Sequence, residues 1–283
     1  ENLTIDVDDL AAKAPGASFL MLSHMRGHIA DMDRIIEICE QNKLTLIEDC
    51  AHTLGAWWGE KQSGNFGEVS CFSTQSYKHL NSGEGGLLVT DNPQVIARAI
   101  LLSGSYMLYD RHLTAPDEEV FSDLKLTTPN YSGRMDNMRA AALRPQLPHL
   151  DTNCARWNER YDVVAAGLQA IPQVRLPSRP RQERYVGSSI QFFLPGFGQD
   201  RVLRVVDTCA DRGVQLKFFG EDIPQGYTSR YDSWQYLGEG HRLPKTLEVL
   251  GNLLDMRIPL TFDLGDCRLI GEIIADAIRE VGV

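Results

Sequence analysis

The sequence predicts an α/β fold: a mostly parallel sheet covered by helices, followed by a smaller α/β region. Three observations carry that prediction. Short apolar runs alternate with amphipathic helical stretches through the first half, the arrangement that lays parallel strands beneath crossover helices. Hydrophobic residues make up 43% of the 283 residues, enough for a substantial core. The pattern then changes, which places a domain boundary near residue 150 and divides the chain into residues 1–150 and 151–283.

Ala17 to Ser23 is a short apolar run that reads as a buried strand. From Asp31 to Asn42, Met32, Ile35, Ile36 and Cys39 recur at helical spacing and form one apolar face. Leu44 to Glu48 is the next strand, with Asp49 just past its last apolar residue. Val69 to Ser73 and Gly86 to Thr90 read as further strands. Pro93 to Leu102 reads as a helix whose proline sits in the first turn, where a missing N–H costs little. A polar, irregular stretch runs from Ser103 to Ser132, and Met135 to Ile171 reads as helix interrupted by Pro145 and Pro148. Further on, Ser188 to Leu194 and Val214 to Phe219 are strand-like, and Asp200 to Arg212 is a helix that Gly213 stops. Pro244 to Leu254 and Asp263 to Val281 read as helices.

The 38 acidic residues exceed the 28 basic ones, for a net charge of −10. That balance argues against nucleic acid or an anionic membrane as the main partner. No run approaches the ~20 apolar residues of a membrane helix. The six cysteines are scattered singly, so neither a metal site nor a disulfide framework is expected, and a reducing cytoplasm is the expected location.

Two residues at strand ends carry candidate chemistry. Asp49 puts a carboxylate where open parallel sheets bind ligands, beyond the carboxyl ends of strands; a helix-capping aspartate is the bland alternative. Lys78 follows a strand and precedes the glycine-rich turn Gly83-Glu-Gly-Gly86, where an amine can form a Schiff base with a carbonyl cofactor. A solvated surface lysine is its bland alternative. The pair together suits pyridoxal phosphate (PLP), which needs a carboxylate for its pyridine nitrogen and a lysine for its aldehyde.

Four ordered segments are similar to one family. Ile47-Glu-Asp-Cys-Ala-His-Thr-Leu-Gly-Ala56 resembles the Glu-Asp-Ala-Ala-Gln-x-x-Gly-Ala segment of the DegT/DnrJ/EryC1/StrS aminotransferases, the sugar aminotransferase family. Phe72-Ser-x-x-x-x-Lys78 with Gly83-Glu-Gly-Gly86 is similar to that family's lysine segment. Ser23-His-Met-Arg-Gly-His-Ile-Ala-Asp-Met-Asp33 resembles its Val-His-x-x-Gly-x-x-Ala-Asp-Met-Asp, and Arg134-Met135 with Ala140-Ala141 and Gln146-Leu147 resembles a later helix. The resemblance implies PLP fold type I, the cofactor pyridoxal 5'-phosphate, and transfer of an amino group from an amino acid to a keto or aldehyde acceptor, such as a keto-sugar. It implies Lys78 as the Schiff-base lysine, Asp49 as partner of the pyridinium nitrogen and Ser73 as a phosphate ligand. His52 stands where the family usually has glutamine near the phenolic oxygen; a hydrogen-bonded helix-start histidine is its bland alternative. A phosphate-binding asparagine from the second subunit of a homodimer corresponds to Asn130, with Ser132 as the alternative.

The family carries a long segment ahead of the matched stretch, so a longer native polypeptide, or a second chain supplying that part, is expected. In the small region Arg230, Tyr231 and Trp234 stand in place of the family's usual substrate residues; they suit an anionic or ring-bearing substrate, with a packed surface turn as the equal alternative. Two other functions stay open. One is a sugar dehydratase, in which relatives replace the lysine by histidine and to which the adjacent His79 points. The other is a non-catalytic partner of a complete paralogue.

Overall fold

The computed structural model describes residues 2–105, 107–223, 231–234 and 242–282. They fall into two compact units: Thr4–Asp151 with Arg181–Tyr185, and Thr152–Pro180 with Val186 onward and residues 2–3.

In the first unit, helix α1 (Val7–Lys13) precedes strand β1 (Phe19–Ser23), helix α2 (Met32–Asn42) and strand β2 (Thr45–Asp49). The Asp31 side chain accepts the Arg34 N–H and starts α2. Lys43, left-handed with φ 56°, stops it. Met32, Ile35, Ile38 and Cys39 are its buried face. A hairpin of β3 (Trp57–Trp58) and β4 (Lys61–Gln62) turns through Gly59 and Glu60. Strands β5 (Val69–Ser73) and β6 (Gly86–Val89) complete a four-stranded sheet in the order β1-β2-β5-β6. The first three strands are parallel, and β6 runs antiparallel to β5.

Helix α3 (Pro93–Leu102) starts at Asn92, whose side chain accepts the N–H groups of Gln94 and Val95. The stretch read as irregular holds a further helix, α4 (Glu118–Thr127). Its Phe121 and Leu124 pack with Ala97, Ile100 and Leu101 of α3. The long helix expected from Met135 breaks into α5 (Asn137–Leu143), a single 3-10 turn at Leu147–His149 and α6 (Leu150–Gln169). Pro145 and Pro148 lie at that break, as their missing N–H groups require. Strand β7 (Glu183–Arg184) pairs with β3 and returns the chain to this unit. Glu183 is buried and accepts the Ile29 N–H at 2.9 Å, while Arg184 covers the Trp57 ring at 4.6 Å.

The second unit holds a three-stranded antiparallel sheet in the order β8-β10-β9: β8 (Ser189–Phe193), β9 (Lys217–Phe218) and β10 (Leu253–Arg257). Helix α7 (Gln199–Asp211) packs against α9 (Leu264–Val281), which begins with reciprocal bonds between Asp263 and Asp266. The expected helix from Pro244 stops at Leu250 as α8, and its apolar end is instead the central strand β10. Leu250 to Met256 is a short, mostly apolar stretch in which buried Asp255 breaks the alternation, so it has no period that separates strand from helix. Of the strand expected over Val214 to Phe219, two residues form β9. Among the described residues no helix is long and apolar enough to cross a membrane.

Candidate active site

Strand β2 ends in two carboxylates that point to opposite faces of the sheet. Glu48 is fully buried. Its Oε1 accepts the N–H groups of Phe66 and Gly67, both at 2.7 Å, and the Ser70 hydroxyl at 3.3 Å. Its Oε2 accepts the Gly64 N–H at 3.1 Å and lies 3.3 Å from Nε2 of buried His24. Burial alone pushes the Glu48 carboxyl up, but the bonds from His24, Gly67, Phe66 and Gly64 outweigh it and hold the group below the ordinary carboxylate range. Glu48 thereby pins the turn after β4 to the end of β2.

Gly64 belongs to that turn. Its φ of 92° is left-handed, and an added Cβ would overlap the Phe72 ring. Gly64→Ala is expected to lower stability by about 2 kcal/mol, through strain and overpacking together. The check is a lower urea midpoint with an unchanged slope.

His24, Glu48 and Cys50 are also spaced as metal ligands, with ligand atoms within 4.8 Å of one another. The chemistry of the cluster is that of an anchor. Glu48 is already met by N–H donors. Burial pushes the Cys50 thiol up to about 12, so it holds its proton and makes a poor ligand.

Asp49 turns to the opposite face. Its Oδ2 accepts the Ser23 hydroxyl at 2.9 Å and its Oδ1 accepts the Ala51 N–H at 3.1 Å. Ser23, Asp49 and Cys71 are register partners across β1, β2 and β5. Ser73, two residues on, shares their face. Its hydroxyl accepts the Gln75 N–H at 3.3 Å.

Lys78 lies on the loop between β5 and β6. That loop is tied by the N–H groups of Thr74, Ser76 and Ser82, which donate to the carbonyls of Gly85, Gly83 and Thr74 at 2.8–2.9 Å. Gly83 and Gly85 supply φ values of 86° and 131° that other residues resist. The loop leaves Lys78 half-buried with Nζ 3.0 Å from Nε2 of His52. His79 is engaged elsewhere: its Nδ1 donates to the Leu54 carbonyl at 2.7 Å. Burial pushes its pKa down to about 4, so it stays neutral near pH 7.

Asn130 is exposed and bonds within its own loop, its Oδ1 accepting the Ser132 N–H at 2.7 Å and the Ser132 hydroxyl at 3.3 Å. The structure thus pairs Lys78 with His52 and sets Asp49 and Ser73 on one sheet face, while Asn130 and Ser132 bond to each other. Arg230 lies outside the described residues, and Trp234 is half-buried after a 3-10 turn at Tyr231–Ser233. Sequence reasoning assigned no role to Ser23, His24 or Glu48. The matched ends of β1 and β2 were the available signal for Ser23.

The donor set fits pyridoxal phosphate: a carboxylate and a hydroxyl on one face beyond parallel strand ends, with an amine on the adjoining loop.

A sequence profile described as the DegT/DnrJ/EryC1/StrS aminotransferase family matches residues 1–253. The L-glutamine:2-deoxy-scyllo-inosose aminotransferase of Micromonospora echinospora is 30% identical over 227 residues, 78% of this chain and 53% of that protein. The GDP-perosamine synthase of Escherichia coli O157:H7 is 29% identical over 180 residues, 63% of this chain and 46% of that protein. The chain therefore spans about half the length of the curated relatives it matches. Among solved structures, the Helicobacter pylori aminotransferase PseC superposes with a TM-score of 0.82 at 15% identity, covering 98% of this chain and 71% of that one. At that identity the likeness shows the fold.

Proposed function

The chain belongs to the DegT/DnrJ/EryC1/StrS aminotransferase family, and from that premise we propose that the protein is a PLP-dependent aminotransferase acting on a ketone borne by a polyhydroxylated ring. The observation that carries the reading is the half-buried Lys78 amine, engaged by His52 one strand end away from the Asp49 carboxylate. Bound pyridoxal phosphate supplies a carbonyl carbon and an electron-accepting ring. Lys78 would bond that carbon through its amine and, once released, carry a proton to or from the substrate carbon. Asp49, already oriented by Ser23 and the Ala51 N–H, would hold the proton of the ring nitrogen. Ser73 would donate to the phosphate, and His52 would lie at the cofactor's Lys78 side.

The ring-ketone class rests on the relatives. One is named for L-glutamine and 2-deoxy-scyllo-inosose, and another for a GDP-linked product. L-glutamine or L-glutamate is the proposed amino donor. A homodimer completes the reading, with Asn130 of one copy serving the phosphate of the other. The exposed Tyr131 next to it in the chain, with the exposed Met138 and Leu147 further along, supports an interface on this part of the unit. The six free cysteines support a reducing cytoplasm as the location.

Borohydride reduction after addition of pyridoxal phosphate, followed by peptide mass mapping, tests the assignment. The expected adduct is on Lys78 alone. An adduct confined to other lysines, or none, sinks it. Transfer of label from 15N-amino glutamine to a ring ketone tests the substrate class.

A further inference from the structure

We propose that Ser23 is a positioning residue for the cofactor's ring nitrogen: through its bond to Asp49 it fixes the carboxylate that meets that nitrogen, and so sets how tightly pyridoxal phosphate is held. The proposal rests on the reading of Asp49 as the ring-nitrogen partner and adds the side chain on which the aim of that carboxylate depends.

The sheet builds the pair. Ser23 and Asp49 are the last residues of β1 and β2, and they are register partners in a parallel ladder. Neighbouring strands lie about 4.8 Å apart, so partners on one face hold their side chains next to each other. The ladder runs one residue further, with the His24 N–H donating to the Asp49 carbonyl at 3.1 Å. The backbone is therefore still paired where the side chains meet. On that frame the Ser23 hydroxyl donates to Oδ2 of Asp49 at 2.9 Å, and the Ala51 N–H donates to Oδ1 at 3.1 Å. One donor on each oxygen holds the plane of the carboxylate, and each oxygen keeps a lone pair for a further donor.

Among the described residues Ser23 is the one side chain that hydrogen-bonds Asp49. Cys71, the register partner on β5, does not share the task. Burial first and the Asp49 charge second push its thiol up, so it keeps its proton and brings no charge to the carboxylate. The segment that Ser23 to Asp33 resembles begins with valine, which presents methyl groups and no donor at this register position. Asp49 of this chain thus has a side-chain partner that the family pattern does not supply. A carboxylate held only from one side gives up more rotational freedom when it meets a ligand, and a donor already in place removes that cost.

The test compares two ligands on the apoprotein: pyridoxal phosphate, and the analogue whose ring nitrogen is replaced by C–H. The analogue keeps the aldehyde and the phosphate but lacks the atom that Asp49 meets. Wild type is expected to bind pyridoxal phosphate the more tightly. Ser23→Ala is expected to weaken that binding about five- to tenfold and to leave the analogue unchanged. Ser23→Thr restores a hydroxyl on a side chain that suits a strand, and most of the loss should be recovered. Ser23 is exposed, so neither substitution opens a cavity. If wild type prefers pyridoxal phosphate and Ser23→Ala binds both ligands as wild type does, or loses both equally, the role of Ser23 is overturned and the reading of Asp49 stands. A wild type that binds the two ligands alike, or binds neither, overturns the reading of Asp49 and this proposal with it.

Discussion

Replacing Lys78 with alanine is expected to abolish borohydride-trapped cofactor at this site and to lower amine transfer by about 10⁴-fold or more. On the proposed reading two functions vanish together, the covalent anchor and the group that moves the substrate proton. Lys78→Arg is the informative companion. It keeps a positive charge near His52, yet a guanidinium does not deprotonate in proteins and cannot bond the carbonyl carbon. If Lys78→Arg retained transfer, charge alone would be the requirement and the nucleophile assignment would fall. Neither change should alter the fold, because Lys78 is half-buried on a loop whose ties are backbone bonds of its neighbours. Unchanged far-ultraviolet circular dichroism would confirm that the loss is chemical.

The largest expected effect on stability is at Glu48. Glu48→Ala leaves the N–H groups of Gly64, Phe66 and Gly67 without their acceptor and removes the partner of buried His24. A loss of about 3–5 kcal/mol is expected, in line with breaking a buried charged network from one side. Urea denaturation measures it, and a loss under about 1 kcal/mol would show that water replaces the carboxylate cheaply. The pH dependence follows from the lowered pKa. The stabilisation is present above the unfolded value, near 4.3, and fades as pH falls through the lower folded value. Wild type should therefore lose stability below about pH 4 more steeply than the alanine variant.

The first unit was readable because its strands and helices obey simple periods. The apolar runs at β1, β2 and β5 fall within two residues of the observed strands, and Asp31 and Pro93 mark helix starts as their chemistry dictates, as Gly213 marks a helix end in the second unit. Helix α4 escaped because its apolar face is only Val120, Phe121 and Leu124 in a polar stretch, stabilised by packing on α3. Strand β10 escaped because both of its faces are buried, which erases alternation. At the site, Asp49 and Lys78 were visible because strand ends and a glycine-rich turn flank them. The role of Glu48 was hidden because its shortest bonds come from backbone N–H groups, which leave no side-chain signature.

Strand β7 carries a consequence for how the protein is made. The unit bearing Lys78 and Asp49 is not finished when its last helix has been synthesised. Ile29 and Gly59 still wait for Glu183 and Gln182, which arrive only after all of α6. During translation the nascent first unit therefore stays unclosed until the chain has begun its second. A fragment cut at the apparent boundary after Asp151 would keep Lys78 and Asp49 and lose the strand that pairs with β3 and binds the Ile29 N–H.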